Sequence, residues 1–148
     1  MQISTKGRYG LRLMIELAAR HADRGSVQIE TLVKAQDVSP AYVHNILSIL
    51  KKAGLVRAVR GPGGGYSLAK APARITVYDV VTALEGDLDP VPCLKTSKTC
   101  PRAANCVSQE LWEELSRTIR DMLASHTLAE LAKRHLDHLA ADVVSFDI

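Results

Sequence analysis

Three cysteines fall within one irregular segment, and their thiols are the side chains of this chain best suited to metal or redox chemistry. Cys93, Cys100 and Cys106 follow a C-x6-C-x5-C spacing, and prolines that flank and interrupt them predict a loop rather than a helix or strand. Lys95, Lys98 and Arg102 lie between the cysteines, and such cations favour the thiolate form of a thiol. The segment therefore predicts thiols able to bind a metal or to be oxidised.

The spacing favours one kind of cofactor over the others. An odd number of cysteines in a reducing compartment argues against a disulfide framework. Structural zinc sites usually contain a short C-x2-4-C pair, which this spacing lacks. Three thiolates on one flexible loop suit an iron–sulfur cluster, with a fourth ligand from elsewhere. Zinc, redox-active thiols without metal and three inert cysteines stay open as alternatives.

The elements before this segment predict a helix-turn-helix. A helix is expected over 41–52, with Ser39 as its N-cap and Pro40 as the first helical residue. Its apolar residues recur at i, i+3, i+4 and i+7 and form one buried stripe: Val43, Ile46, Leu47 and Leu50. A shorter helix over 28–36 precedes it, so the pair is typical of a recognition helix and its supporting helix.

A glycine-rich turn follows the recognition helix. Leu55 to Val59 is β-prone, and Gly61-Pro62-Gly63-Gly64-Gly65 allows a tight reversal into a strand formed by Tyr66-Ser67-Leu68. A helix that leads directly into such a hairpin, with Arg60 at the turn, is how a winged helix-turn-helix presents its wing. Duplex DNA is therefore the first partner to consider.

The remaining periodicity predicts a mainly α fold with a small β-hairpin. Helices are expected over about 4–21, 76–84 and 108–124, and another is capped by Thr127 and buries Leu128, Leu131, Ala132 and Leu136. The expected organisation is a winged helix-turn-helix over 1–74, a connector helix and loop over 75–90, the cysteine loop over 91–107, and dimerisation and C-terminal helices over 108–148.

The charge distribution supports DNA as the partner. Residues 1–74 contain twelve Lys or Arg against four Asp or Glu, whereas residues 75–148 contain seven against twelve. A basic first half on a chain of formal charge +3 is typical of a nucleic-acid module joined to a different module. The six aromatic residues are too few for platforms that stack single-stranded bases.

The long helix over 108–124 predicts self-association. Its apolar stripe contains Leu111, Leu115, Ile119 and Met122, and so small a chain has little protein of its own to cover it. We expect a homodimer whose two-fold symmetry matches a palindromic operator.

Nucleotide-binding, metalloprotease and hydrolase motifs are lacking, so an enzyme is not expected. No apolar run is long enough to span a membrane, and a cytoplasmic location is expected.

Three stretches of this sequence resemble the IscR-type iron–sulfur cluster regulators of the Rrf-type superfamily. They are the N-terminal M-Q-I-S-T-K-G-R-Y-G, the wing L-K-K-A-G-L-V-R-A-V-R-G-P-G-G-G-Y, and the three-cysteine loop before E-L-W. The resemblance implies a bacterial homodimeric transcription factor whose cluster is held by Cys93, Cys100 and Cys106. A two-iron cluster is favoured over a four-iron cluster. A metal-free thiol sensor and a regulator controlled by a partner protein are the alternatives.

The fourth ligand departs from the pattern of the family. Gln109 stands where the IscR group has a histidine. Arg8 stands where the nitric-oxide-sensing NsrR group of the same superfamily has an aspartate. The candidates in this chain are Gln109, Glu110, Asp89 and His126, with an exogenous thiol or water as the alternative.

The expected DNA contacts lie on the recognition helix and the wing. The resemblance matches Tyr42, His44, Asn45 and Arg60 to positions that meet DNA, with His44 and Asn45 replacing Glu and Gln of the IscR group. The polar face of the helix and the composition of the wing extend this set to Ser48, Lys51, Arg57, Gly63 and Gly64.

Overall fold

A computed structural model describes residues 2–23, 25–96 and 100–146. Within them lie six α-helices and one antiparallel pair of strands, which confirms the mainly α class with a small hairpin. In chain order these are α1 (Thr5–Ala19), α2 (Ile29–Gln36), α3 (Pro40–Lys52), β1 (Val56–Val59), β2 (Gly65–Leu68), α4 (Val77–Glu85), α5 (Val107–Ala124) and α6 (Leu128–Phe146).

The helix-turn-helix forms as the sequence predicts. The Ser39 hydroxyl accepts a hydrogen bond from the backbone N–H of Tyr42 at 3.2 Å, and Pro40 is the first residue of α3. Asp37 adopts a left-handed conformation with φ 52° and ends α2. The four apolar residues of the predicted stripe on α3 are all fully buried. The opposite face of α3 is therefore free to meet a partner.

The hairpin is fixed to the helices from both sides. Val56 pairs with Leu68 and both are buried, whereas Ala58 pairs with Tyr66 nearer the tip. Tyr66 also exchanges two backbone hydrogen bonds with Val27, at 2.8 and 2.9 Å. A side chain on Gly65 would meet the Val27 carbonyl oxygen at 2.2 Å, so this close approach requires glycine. The part of β2 next to the glycine turn is consequently held by the segment before α2.

Helix α1 lies at the centre of the core. Leu13, Met14 and Leu17 are buried against α3, α4 and the start of α6. A methyl group on Gly10 would lie 2.1 Å from Cδ1 of Leu84, so α1 and α4 cross at a distance that only glycine permits. The starts of α4 and α6 are joined by backbone hydrogen bonds, in which Leu128 N–H donates to the Ile75 carbonyl at 2.9 Å.

Helix α5 differs from the other helices in its packing. None of its residues, all of which the structure describes, is buried. Ile119 of the predicted stripe is half-buried with Trp112 and Leu123 on the inward face. The rest of the stripe, Leu111, Leu115 and Met122, is 57, 40 and 56 % exposed, and Val107 beside it is 78 % exposed.

Helix α6 is buried only near its start. Leu128 and Ala132 are buried as predicted, but the prediction for Leu136 is wrong, because its side chain is 48 % exposed where α6 extends past α1. The helix continues to Phe146, within the 108–148 range expected for the dimerisation and C-terminal helices. No helix in the described part of the chain is long and apolar enough to cross a membrane.

Candidate nucleic-acid interface and cysteine segment

The exposed face of α3 contains the polar side chains predicted to meet DNA. His44, Asn45 and Ser48 are exposed, and Lys51 and Lys52 are exposed in the last turn. None of these side chains is acidic, so the face attracts phosphate rather than repelling it. Its dimensions are those of a single helix, which the major groove of B-DNA admits.

Tyr42 is held against α1 at the beginning of this face. Its ring is half-buried and meets the ring of Tyr9 edge-on, with centroids 6.0 Å apart. The Arg12 guanidinium lies 5.1 Å from the centre of the Tyr9 ring, so a cation caps the aromatic pair. Tyr42 is therefore fixed more firmly than its exposed neighbours on α3.

A contact between α3 and the wing was not predicted from the sequence. Nδ1 of His44 lies 3.2 Å from the hydroxyl oxygen of Tyr66, and the two rings meet edge-on at 6.2 Å. Strand alternation offers a signal, because Tyr66 shares a face of β2 with the buried Leu68 and must point towards the helices. Tyr66 therefore joins the candidate site.

The two wing arginines lie in different surroundings. Arg60 is exposed at the beginning of the glycine turn, as a residue that reaches for DNA phosphates should be. Arg57 pairs with Ser67 on the opposite face of the hairpin from Tyr66, and its Nε donates to the Ser67 hydroxyl at 2.9 Å. Arg57 lines a cleft of about 530 Å³ with His21 and Gly63.

The tip of the wing is tied to the loop between α1 and α2. The Ser26 hydroxyl donates to the Gly63 carbonyl at 2.7 Å, while Gly64 is half-buried within the turn. Gly63 has φ 71°, a conformation that favours glycine. The structure thus places Tyr42, His44, Asn45 and Ser48 on α3 and Arg60 exposed at the turn of the wing, and it places Arg57 on the face of the hairpin opposite Tyr66.

The cysteine segment connects α4 to α5 by short helical turns. All three cysteines are free and half-buried, and Cys106 is the N-cap residue of α5. The Asp87 carboxylate accepts from the backbone N–H of Asp89 at 2.9 Å and pairs with the Lys95 ammonium at 3.0 Å. These two contacts, the backbone hydrogen bond first, lower the pKa of Asp87.

Cys106 has the most distinctive environment of the three thiols. Its Sγ lies 3.2 Å from the Ser108 hydroxyl. This hydrogen bond, followed by the backbone N–H of Gln109 and a smaller contribution from Arg102, lowers the pKa of the Cys106 thiol. The thiolate is both the nucleophile and the metal ligand, so the start of α5 favours the reactive form.

The donor chemistry of the segment fits an iron–sulfur cluster, but its side chains are not gathered around one point. Among the described residues, no three Cys, His, Asp or Glu side chains converge closely enough to hold a metal ion. Three candidate fourth ligands already have partners: Gln109 donates to Glu113 at 3.1 Å, Asp89 accepts from Ser116, and His126 lies 3.3 Å from Glu130. Glu110 is exposed in the first turn of α5. Binding would therefore require the segment to close around the cluster.

The fold and the polar face of α3 define a winged helix-turn-helix regulator, and comparison with known proteins identifies its family. The chain belongs to the Rrf2 family of iron-dependent transcriptional regulators, whose model matches residues 3–134. It is thus a DNA-binding transcriptional regulator and not an enzyme.

The chain is similar to regulators named IscR and to a regulator named CymR. IscR of Erwinia tasmaniensis is 37 % identical, over 96 % of this chain and 85 % of that protein. The structure of CymR, the global cysteine regulator of B. subtilis, is 37 % identical with a TM-score of 0.76, over 90 % of this chain and 98 % of that one. IscR of T. potens is 35 % identical with a TM-score of 0.72, over 91 % and 88 % of the two chains. The family resemblance of the sequence is therefore confirmed.

The lowered pKa of Cys106 predicts the pH dependence of its reactivity. In reduced, metal-free protein, alkylation of Cys106 should accelerate at a lower pH than for an ordinary thiol, which ionises at about 8.5. Ser108→Ala removes the largest stabilisation of the thiolate and should move this profile to higher pH. Ser125→Ala, which removes a hydroxyl at the far end of α5, is the control and should leave it unchanged. Mass spectrometry of the alkylated peptide gives the rates, and an unchanged Ser108→Ala profile would contradict the assignment.

Proposed function

We propose that this regulator binds a palindromic DNA operator as a homodimer, through α3 and the wing, and that an iron–sulfur cluster on the cysteine segment controls this binding. The observation that carries the DNA assignment is the exposed, non-acidic face of α3, followed in the chain by a wing on which Arg60 is exposed. His44, Asn45 and Ser48 read bases in the major groove, where the Asn45 amide can pair with the edge of adenine. Arg60 and Lys51 bind phosphates and set the register on the duplex.

Removing one phosphate contact tests the wing. Arg60→Ala should weaken binding to all duplexes and reduce the slope of log affinity against log salt by about 1, because one fewer counterion is released. Arg134→Ala, which removes an exposed arginine from α6, is the matched control and should change neither quantity. Fluorescence anisotropy over a range of salt concentrations measures both. An Arg60→Ala protein with the slope of the wild type would remove Arg60 from the interface.

The homodimer is argued from α5. Val107, Leu111, Leu115 and Met122 form one stripe along a helix about 27 Å long, and each is at least 40 % exposed. A continuous apolar stripe of this kind on a small regulator marks a protein interface. Pairing α5 with its copy across a two-fold axis covers the stripe on both chains and places two recognition helices on one face of DNA.

A charge within the stripe tests this pairing. Leu111→Glu should convert the dimer to a monomer, because association would bury an unpaired carboxylate. Ala124→Glu introduces the same charge at an exposed residue of α5 outside the stripe and should leave the dimer intact. Sedimentation velocity of the reduced proteins distinguishes the two species. Leu111→Glu protein that remains dimeric would exclude α5 as the interface.

The cluster assignment rests on the donor set. Cys93, Cys100 and Cys106 supply three sulfur ligands, and Gln109 and Glu110 are the nearest candidates in sequence for a fourth. A bound cluster would supply redox chemistry and a site sensitive to iron supply, oxygen or nitric oxide, with a two-iron form favoured. The three cysteines would draw together the segment between α4 and α5. This would alter the packing of α5 against the winged helix-turn-helix.

Metal analysis decides whether a cluster is present. Protein purified without oxygen should show visible absorbance and contain about two irons and two sulfides per chain. Cys100→Ala should lose both while keeping its helical circular dichroism, because Cys100 lies outside the core. A variant that stays coloured with full iron content would show that Cys100 is not a ligand.

A second candidate function is thiol sensing without metal. The lowered pKa of Cys106 favours it, since a thiolate is oxidised to sulfenic acid more readily than a thiol. If wild-type protein purified from cells that build clusters is colourless and metal-free, thiol sensing replaces cluster control as the mechanism.

A further inference from the structure

His44 reaches from the recognition helix to the wing while its ring stays exposed. It is the fifth residue of α3, in the part of a recognition helix that meets base edges. Its Nδ1 contacts the Tyr66 hydroxyl at 3.2 Å, so Nε2 is the ring nitrogen left for another partner. What Nε2 can recognise depends on which nitrogen carries the proton.

The direction of this hydrogen bond follows from the chemistry of the two groups. A phenol O–H is a stronger donor than a neutral imidazole N–H, and an imidazole nitrogen is a stronger acceptor than a phenol oxygen. With Tyr66 as the donor to Nδ1 of His44, the proton of the neutral ring resides on Nε2. The outward nitrogen is then a hydrogen-bond donor.

Tyr66 is held firmly enough to impose this orientation. Its backbone N–H and C=O both pair with Val27, at 2.9 and 2.8 Å, and its half-buried ring meets the His44 ring at 73°. A hydroxyl at a fixed place can fix both the tautomer of a histidine and the rotation of its ring.

We propose that Tyr66 is a positioning residue that makes His44 a hydrogen-bond donor to guanine in the operator. This inference rests on the proposed binding of DNA through α3. Guanine offers two acceptors, N7 and O6, side by side in the major groove. Adenine places an amino donor beside its N7, cytosine presents an amino donor, and thymine presents a methyl group beside its one acceptor. A single donor on Nε2 therefore favours guanine.

The first measurement requires no DNA. Nitrogen NMR of histidine-labelled protein, with His44 assigned from the spectrum of His44→Gln, should show the proton on Nε2 at a pH above neutrality. Tyr66→Phe should shift the Nδ1 resonance as the hydrogen bond is lost, whereas Tyr78→Phe on α4, the matched loss of a hydroxyl, should not. A proton on Nδ1 of the wild-type ring would overturn the proposal, because Nε2 would then be an acceptor.

The second measurement locates the guanine. Duplexes with a randomised central segment are selected on wild-type protein, and each guanine of the selected sequence is replaced in turn by 7-deazaguanine, which lacks the N7 acceptor. At one position per half-site this should weaken wild-type binding by about five-fold, the effect of one lost hydrogen bond. The same replacement should have no effect on His44→Ala and a reduced effect on Tyr66→Phe.

The outcomes separate this proposal from the broader function. If wild-type protein binds the selected duplex but every 7-deazaguanine effect persists in His44→Ala, DNA binding stands and the role of His44 is refuted. If the effect persists undiminished in Tyr66→Phe while His44→Ala loses it, His44 reads guanine without positioning by Tyr66, and the proposal also fails. If no duplex is selected at all, the proposed function itself fails, whatever the NMR spectra show.

Discussion

The burial of α1 is the constraint on which the rest of the structure depends. This helix contacts α2, α3, α4, α6 and the wing, and its buried residues are apolar apart from the glycines and one carboxylate. Gly10 lets α4 approach so closely that its Leu84 occupies the space of a side chain. A core built around one helix transmits strain efficiently, because its packing is too dense to absorb a shift locally.

The one buried carboxylate on α1 shows how the C-terminal half is joined to this core. Glu16 is 7 % exposed and accepts from Nε of Arg20 at 2.7 Å, while Nε2 of His135 from α6 lies 3.4 Å from its other oxygen. A buried carboxylate needs such partners, because an unpaired charge in the core is costly. The contact between Glu16 and His135 joins α1 to α6. Beyond it α6 extends past the core, and Leu136 is exposed.

Elements set by local rules were predictable from the sequence, and contacts between distant segments were not. The start of α3 follows from Ser39 and Pro40, and the register of the wing follows from its glycine turn, since both depend on neighbouring residues. The face on which Arg57 lies depends on how the hairpin docks against α3, and the pairing of His44 with Tyr66 joins residues that are 22 positions apart in the chain. The same limit applies to Leu136, whose exposure is decided by where α1 ends beside α6.

Helix α4 is the element through which the cysteine segment can influence the exposed face of α3 that we propose binds DNA. It contacts α1 and α3 on one side and α5 on the other, and Val80 and Leu84 are buried in the common core.

The cysteine segment begins just beyond the C-terminal end of α4, where Ser4 at the start of α1 hydrogen-bonds to Glu85. The segment is also tied to α5 through the hydrogen bond from Ser116 to Asp89. Chemistry that draws the cysteines together acts on the segment that joins α4 to α5, and α4 packs against α3. The cysteine segment and the exposed face of α3 can therefore be coupled through helices that are already in contact. This coupling is allosteric provided that the two states of the cysteine segment differ in their affinity for DNA.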